Sequence, residues 1–221
     1  HIDAEVPEFF DVLLHLGTLI AVFVAYWPDI VDMIREFFLG IAALAGRKDT
    51  GVAPPPARRM VMLIIIATVP LFVMVFLQDA VNQLFSNSIM VSCALLATGF
   101  ILFFSDRMAR GHKTAKNATV ADALLVGCAQ ALGTLPGISR SGITISAGML
   151  RGYDRTFAVR FSFLMSLPAV FGATLLELID AVQAGIDTSL LPVYLVGMLV
   201  AGVVGYFAIR LVKSLSDKGK F

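Results

Sequence analysis

The chain has 221 residues, 58% of them hydrophobic and only 15% charged, with a mean hydropathy of +0.86. A water-soluble domain carries roughly a quarter of its residues as charges, so a cytosolic enzyme, a secreted disulfide scaffold and a disordered tail are all excluded. The balance of 17 Lys plus Arg against 16 Asp plus Glu gives no basic excess for a nucleic-acid partner, and the expected surroundings are membrane lipids.

A helix needs about 20 mostly apolar residues to cross a hydrocarbon layer of about 30 Å. Five stretches meet that test, at about 9–27, 60–77, 88–105, 156–179 and 190–211. They are continuous rather than alternating, which argues against barrel strands. After the first stretch, Asp32, Arg35 and Glu36 interrupt an apolar pattern of Ile30, Val31, Ile34, Phe37, Phe38 and Ile41. That spacing predicts an amphipathic helix lying at the interface over about 29–45. After the third stretch comes a different kind of segment, about 120–150. Its two apolar halves flank Gly133-Thr134-Leu135-Pro136-Gly137-Ile138-Ser139-Arg140-Ser141-Gly142. Each half is too short to cross alone, and the centre is packed with helix breakers. Cys93 and Cys128 lie inside apolar stretches and read as packing residues rather than ligands or a disulfide.

Charge placement sets the topology. The connections holding Arg35, Arg47, Lys48, Arg58 and Arg59, then Arg107, Arg110, Lys113 and Lys116, are basic; the tail holds Lys213, Lys218 and Lys220. The connections 78–87 and 180–189 contain no Lys or Arg. Under the positive-inside rule the basic connections are cytoplasmic and the bare ones outside. The assignment alternates without conflict only if the segment 120–150 enters and leaves on one side. It is therefore expected to be a re-entrant helix-loop-helix.

Arg140 alone among the basic residues falls deep in the apolar layer, whereas Arg160 is close enough to the interface to snorkel. An arginine near mid-membrane costs about 2.5–3.5 kcal/mol on insertion scales, so it needs a partner or a function. One alternative is a structural arginine that caps carbonyls of the broken helix. The neighbours suggest another. Ser139, Ser141 and Thr144 crowd around Arg140 among Gly137 and Gly142. A half-helix beginning near Ser141 or Gly142 would point its free N–H groups and positive dipole end into the loop. Glycines let backbone donors approach an anion, and a guanidinium offers a two-pronged donor for phosphate oxygens. The group reads as a phosphate or carboxylate cradle, with an ordinary Ser/Gly kink between close helices as the plain alternative.

The run Pro136-Gly137-Ile138-Ser139-Arg140-Ser141-Gly142-Ile143-Thr144 resembles the P-G-x-S-R-S-G-x-T signature of the undecaprenyl-diphosphate phosphatases, or bacitracin-resistance proteins. Further stretches match at Phe10–Leu19, Ala67–Pro70, Gly127–Gln130 and Phe161–Leu164, so the resemblance covers essentially the whole chain. It implies an enzyme of the bacterial plasma (inner) membrane. That enzyme removes the terminal phosphate of a C55 polyprenyl diphosphate at the outer, periplasmic face, recycling the wall-polymer carrier and depriving bacitracin of its target. By direct match, Arg140 binds the diphosphate, Ser139, Ser141 and Thr144 line the same pocket, and Gly137 and Gly142 shape it. His15, mid-run in the first spanning helix near Asp11, is a further candidate for substrate contact, with a satisfied core histidine as the alternative. The implied fold is an all-α integral membrane protein, a polytopic helical bundle that forms half of an inverted-repeat architecture.

The resemblance also implies a divalent cation, Mg2+ or Ca2+, held by an E-x-x-x-E motif in an earlier hairpin that carries S-S-x-G-H. Nothing in this sequence matches those motifs, and His1 lacks their context. Three predicted spans precede the 120–150 hairpin and two follow it, so the family's first hairpin and last helix are expected to be absent from this sequence. The nucleophile is left open between a hydroxyl such as Ser139 and a water or histidine. Oligomeric state is not legible, a homodimer being one expectation. The rival from another class is a transporter or flippase for a polyprenyl phosphate carrier, because broken helices in inverted repeats also build alternating-access transporters.

Overall fold

The computed structural model describes residues 8–45, 54–77, 88–108, 111–184 and 190–218. These form helices α1 (Glu8–Ala25), α2 (Trp27–Ala45), α3 (Pro56–Phe76), α4 (Ser88–Met108), α5 (Val120–Leu132), α6 (Arg140–Leu150), α7 (Arg155–Ala184) and α8 (Leu191–Asp217). Among the described residues there is no strand; Lys113 and Tyr153 make one isolated bridge. The all-α expectation holds.

Helices stand at all five predicted spans, but their lengths differ from expectation. Pro56–Met74, Arg155–Asp180 and Leu191–Asp217 are long and apolar enough to cross a membrane. The apolar part of α4 is the shorter Ile89–Ser105, and α1 stops at Ala25, with only Tyr26 between it and the start of α2. Two helices keep an internal proline, Pro70 in α3 and Pro168 in α7, as spanning helices tolerate because neighbours satisfy the freed backbone groups. In α2, Ile30 is buried while Ile34, Phe37, Phe38 and Ile41 are exposed, so most of its apolar stripe is not covered by protein.

The chain divides into two compact units, one comprising His1–Trp27 and Ser166–Ser214, the other Pro28–Met165 and Leu215–Phe221. The first packs α1 against α8 through bare backbone. A Cβ on Gly17 would overlap the Met198 carbonyl, and one on Gly197 would overlap the Phe10 ring. Small residues at such crossings are how helices associate without a hydrophobic drive between them. Tyr194 is buried against Phe9 and Phe10, its ring 5.6 Å from each.

The second unit is organised around α5 and α6. α5 runs alongside α3 in the same direction: Arg59 Nη2 donates to the Ala118 carbonyl at 2.8 Å, and eight residues on in α3 the Ala67 backbone meets Gly127 where a Cβ would overlap it. α5 begins with a capping box, in which Asp122 N–H donates to Thr119 Oγ1 and Thr119 N–H donates to Asp122 Oδ2. α5 has 13 residues and α6 has 11, so they reach only about 20 Å and about 16 Å at 1.5 Å per residue. Their outer ends meet. Arg151, the C-cap of α6, brings Nε and Nη2 to Asp122 Oδ1, each at 2.8 Å, and Lys113 Nζ sits 2.8 Å from Oδ2. Asp122 is fully buried. Burial alone would raise its pKa, but the bonds from Lys113, Thr119 and Arg151 outweigh that and hold the carboxyl well below the usual carboxylate range.

Candidate functional site

The segment between α5 and α6 turns on two features. Gly133 caps α5 so closely against the next helix that a Cβ there would lie 2.9 Å from Arg140 Cα. Gly137 sits at φ +83°, in the left-handed region that glycine reaches without strain, and its α-carbon faces the Val91 carbonyl of α4. A side chain at 137 would be strained twice, by φ and by overlap. Ser139 then caps α6: its Oγ accepts from Gly142 N–H at 3.2 Å. Gly142 is buried, with room for a Cβ only at 3.1 Å from Leu102 of α4 and from Ser139.

The helix therefore starts at Arg140, one or two residues earlier than the sequence suggests, and its first N–H groups belong to Arg140 and Ser141. The helical ladder leaves these two without a carbonyl partner, and no other acceptor among the described residues takes them. Arg140 is half-buried. Among the described residues its guanidinium has neither a carboxylate nor a carbonyl partner. That disagrees with the structural-cap alternative, in which the side chain would bond carbonyls of the broken helix. Ser139 and Ser141 are exposed beside it.

Thr144 departs from expectation. Its hydroxyl does not face the loop; the residue is 2% exposed. Oγ1 lies 2.8 Å from the Arg140 carbonyl, 3.2 Å from the Ser141 carbonyl and 2.5 Å from Ser162 Oγ of α7. A threonine one turn into a helix reaches back onto the carbonyls of the preceding turn, which draws the hydroxyl inward.

His15 belongs to the other compact unit. Its Nδ1 is 3.7 Å from Glu177 Oε2, and both side chains are about half exposed, at 52% and 49%. Glu177 thus stands within ion-pair distance of a histidine. Arg160 likewise has a partner instead of only snorkelling: Nη2 donates to Asp29 Oδ1. His1 lies outside the described residues. The free thiols of Cys93 and Cys128 are both exposed rather than packed in a core.

Sequence reasoning passed over Asp122 and Ser162. The first had a usable signal, since Thr119-Val-Ala-Asp122 before an apolar run has the form of a capping box. Ser162 had none beyond lying in a matching stretch. Among the described residues no group of three or more His, Cys, Asp or Glu is placed to hold a metal. The buried carboxylate of the hairpin itself, Asp122, is saturated by two cations. The described residues therefore do not fit a divalent ion.

Comparison with known proteins decides the family. Residues 2–221 match the family described as bacitracin resistance protein BacA. The chain belongs to the BacA family. Among curated relatives it is similar to the undecaprenyl-diphosphatase of Methanosphaera stadtmanae, 38% identical over 93% of this chain and 75% of the relative. The undecaprenyl-diphosphatase of Methanobrevibacter smithii is 40% identical over 95% of this chain and 76% of its own length. That of Alkaliphilus metalliredigens is 36% identical over 97% and 80%. The BacA signature falls on the turn and first helical turn described above.

Proposed function

We infer that this protein hydrolyses undecaprenyl diphosphate to undecaprenyl phosphate and inorganic phosphate, and that in doing so it supports cell-wall synthesis and bacitracin resistance. Membership of the BacA family supplies the activity. The observation that supports a site here is the guanidinium of Arg140, without a partner among the described residues, at the start of a half-helix.

Phosphoryl transfer needs charge neutralisation and alignment more than covalent help. In this reading Arg140 forks onto the diphosphate oxygens, and the N–H groups of Arg140 and Ser141 meet the same anion along the positive end of α6. The exposed hydroxyls of Ser139 and Ser141 donate from either side. Thr144 holds the Arg140 carbonyl instead of touching substrate. Ser139 Oγ already accepts the Gly142 N–H, and no described side chain stands beside it as a base. Water is therefore the nucleophile we assign. It adds to the terminal phosphorus, the bond to the bridging oxygen breaks, and that oxygen leaves with the electron pair on undecaprenyl phosphate. The proton departs on inorganic phosphate. No step is assigned to the divalent cation that the family resemblance implies, because the described residues offer it no site.

The hairpin α5–α6 is read as re-entrant from the cytoplasmic side, forming part of an inverted-repeat fold in a plasma membrane, with the site opening outward. Two features support this: its halves are too short to span, and Arg151 and Asp122 join its two ends. The uncovered apolar stripe of α2 supports an interfacial position for that helix.

The test is phosphate release from a polyprenyl diphosphate by the purified intact protein in detergent. Arg140→Ala is expected to lower the rate by about 10²–10³-fold with helix content unchanged. Unaltered release in Arg140→Ala overturns the site. Tight binding without release by the intact protein would favour a lipid-carrier transporter.

A further inference from the structure

Among the described residues three threonines turn the side-chain hydroxyl onto the carbonyl four residues back in their own helix: Thr68 onto Ile64, Thr98 onto Ala94 and Thr144 onto Arg140. Such back-bonds are ordinary. Of the three, Thr144 is the one met by a hydroxyl from a different helix, Ser162 of α7, at 2.5 Å. Both residues are buried, at 2% and 3% exposure.

The direction of that contact follows from counting protons. A hydroxyl has one proton to donate. Thr144 Oγ1 lies within hydrogen-bond distance of two carbonyls, Arg140 and Ser141, which only accept. Its proton is committed to them, so Ser162 is the donor across the 2.5 Å gap. The result is a polarised chain in which Ser162 donates to Thr144 and Thr144 donates to the Arg140 carbonyl. Ser162 is set in a stiff wall: Phe161 and Leu164 are almost fully buried, and Phe161 packs edge-on against Tyr153, which also meets Phe157 at 4.8 Å. Gly133 also bears on Arg140 Cα. The backbone of Arg140 is thus held by two contacts while its guanidinium has no partner among the described residues.

We propose that Ser162 is a positioning residue for the reaction, acting through Thr144 to fix the backbone from which Arg140 reaches the diphosphate. This rests on the function proposed above. Alignment is where such a residue matters, since a misplacement of about 1 Å can lower a rate by 10²-fold.

The experiment measures phosphate release and amide hydrogen exchange on the intact protein. Ser162→Ala is expected to lower kcat roughly tenfold while KM moves less than about twofold, because alignment, not affinity, is lost. In an Arg140→Lys background the same change is expected to add nothing. Losses that multiply in the double variant overturn the proposal. Ser162→Cys, close in size but a weaker donor, should fall between, and wild-type kcat in that variant also overturns it. Exchange at the Ile143 and Thr144 amides should quicken roughly tenfold in Ser162→Ala, with α3 unaffected. If the intact protein releases no phosphate, the function fails, and the exchange result alone decides whether Ser162 positions α6.

Discussion

The two ends of the α5–α6 hairpin treat charge in opposite ways. At the base, Asp122 is fully buried and answered by Lys113, by Arg151 and by the Thr119 N–H. At the tip, Arg140 is half-buried beside two helical N–H groups, with nothing anionic among the described residues to answer it. A charge that serves the fold is satisfied within the fold, because an uncompensated buried charge destabilises by several kcal/mol. Under the proposed function, a charge left open where the backbone donors are also open is held for the diphosphate. The base resembles an ordinary buried salt bridge; the tip resembles a binding site before its ligand.

The sharpest way to break this contrast is to remove each charge in turn. Arg140→Leu should abolish most phosphate release, by about 10²–10³-fold, while leaving thermal stability unchanged or slightly raised, since no partner is orphaned. Asp122→Leu should do the reverse. It strands two cations and is expected to cost about 3 kcal/mol, at the lower end of the buried-pair range because Lys113 and Arg151 both reach solvent. Its residual folded fraction should still release phosphate. Thermal denaturation and phosphate release on the two variants decide the matter. Equal stability losses would erase the distinction between base and tip.

Much of this contrast was legible in the sequence. The signature at 136–144 located the tip, and the helix breakers at its centre marked the turn between two short helices. What escaped was whatever depends on which way a side chain turns. Hydropathy treats a lipid-facing cysteine and a core cysteine alike, so Cys93 and Cys128 read as buried and are exposed. Thr144 matched a pocket residue by position, but its hydroxyl turns inward to Arg140 and Ser162. The pairing of His15 with Glu177 joins residues 162 positions apart, a separation no local pattern encodes. Helix ends shifted for a local reason as well: α3 begins at Pro56, where a missing N–H is harmless, and not at Met60 where the apolar run starts.

The base can be probed more gently with acid. Because the Asp122 carboxyl is held below its ordinary range, its contribution is fully present above the unfolded carboxylate value of about 4 and is lost as pH falls through the lower folded value. The stability gap between the wild type and Asp122→Asn should therefore stay constant from about pH 8 to about pH 5 and narrow below about pH 4. A gap that already closes at neutral pH would mean that the carboxyl is not held as a charge. No such acid dependence is expected for Arg140→Leu, which removes no titrating pair.

The smallest effect separates the two roles of the Thr119–Asp122 motif. Thr119→Val deletes the hydroxyl that accepts the Asp122 N–H but leaves the Thr119 N–H free to donate to the carboxylate. Helix capping alone is then lost, at a cost of about 1 kcal/mol, with the ion pairs intact. If the clasp depended on the cap, the loss would approach that of Asp122→Leu; if the two are separable, the Thr119→Val deficit should remain flat across the acid titration while that of Asp122→Asn changes. A flat deficit of the smaller size would show that the box only starts α5. The closure of the hairpin would then rest on Lys113 and Arg151, and the base would be a charge device in the same sense as the tip, differing only in having its partners built in.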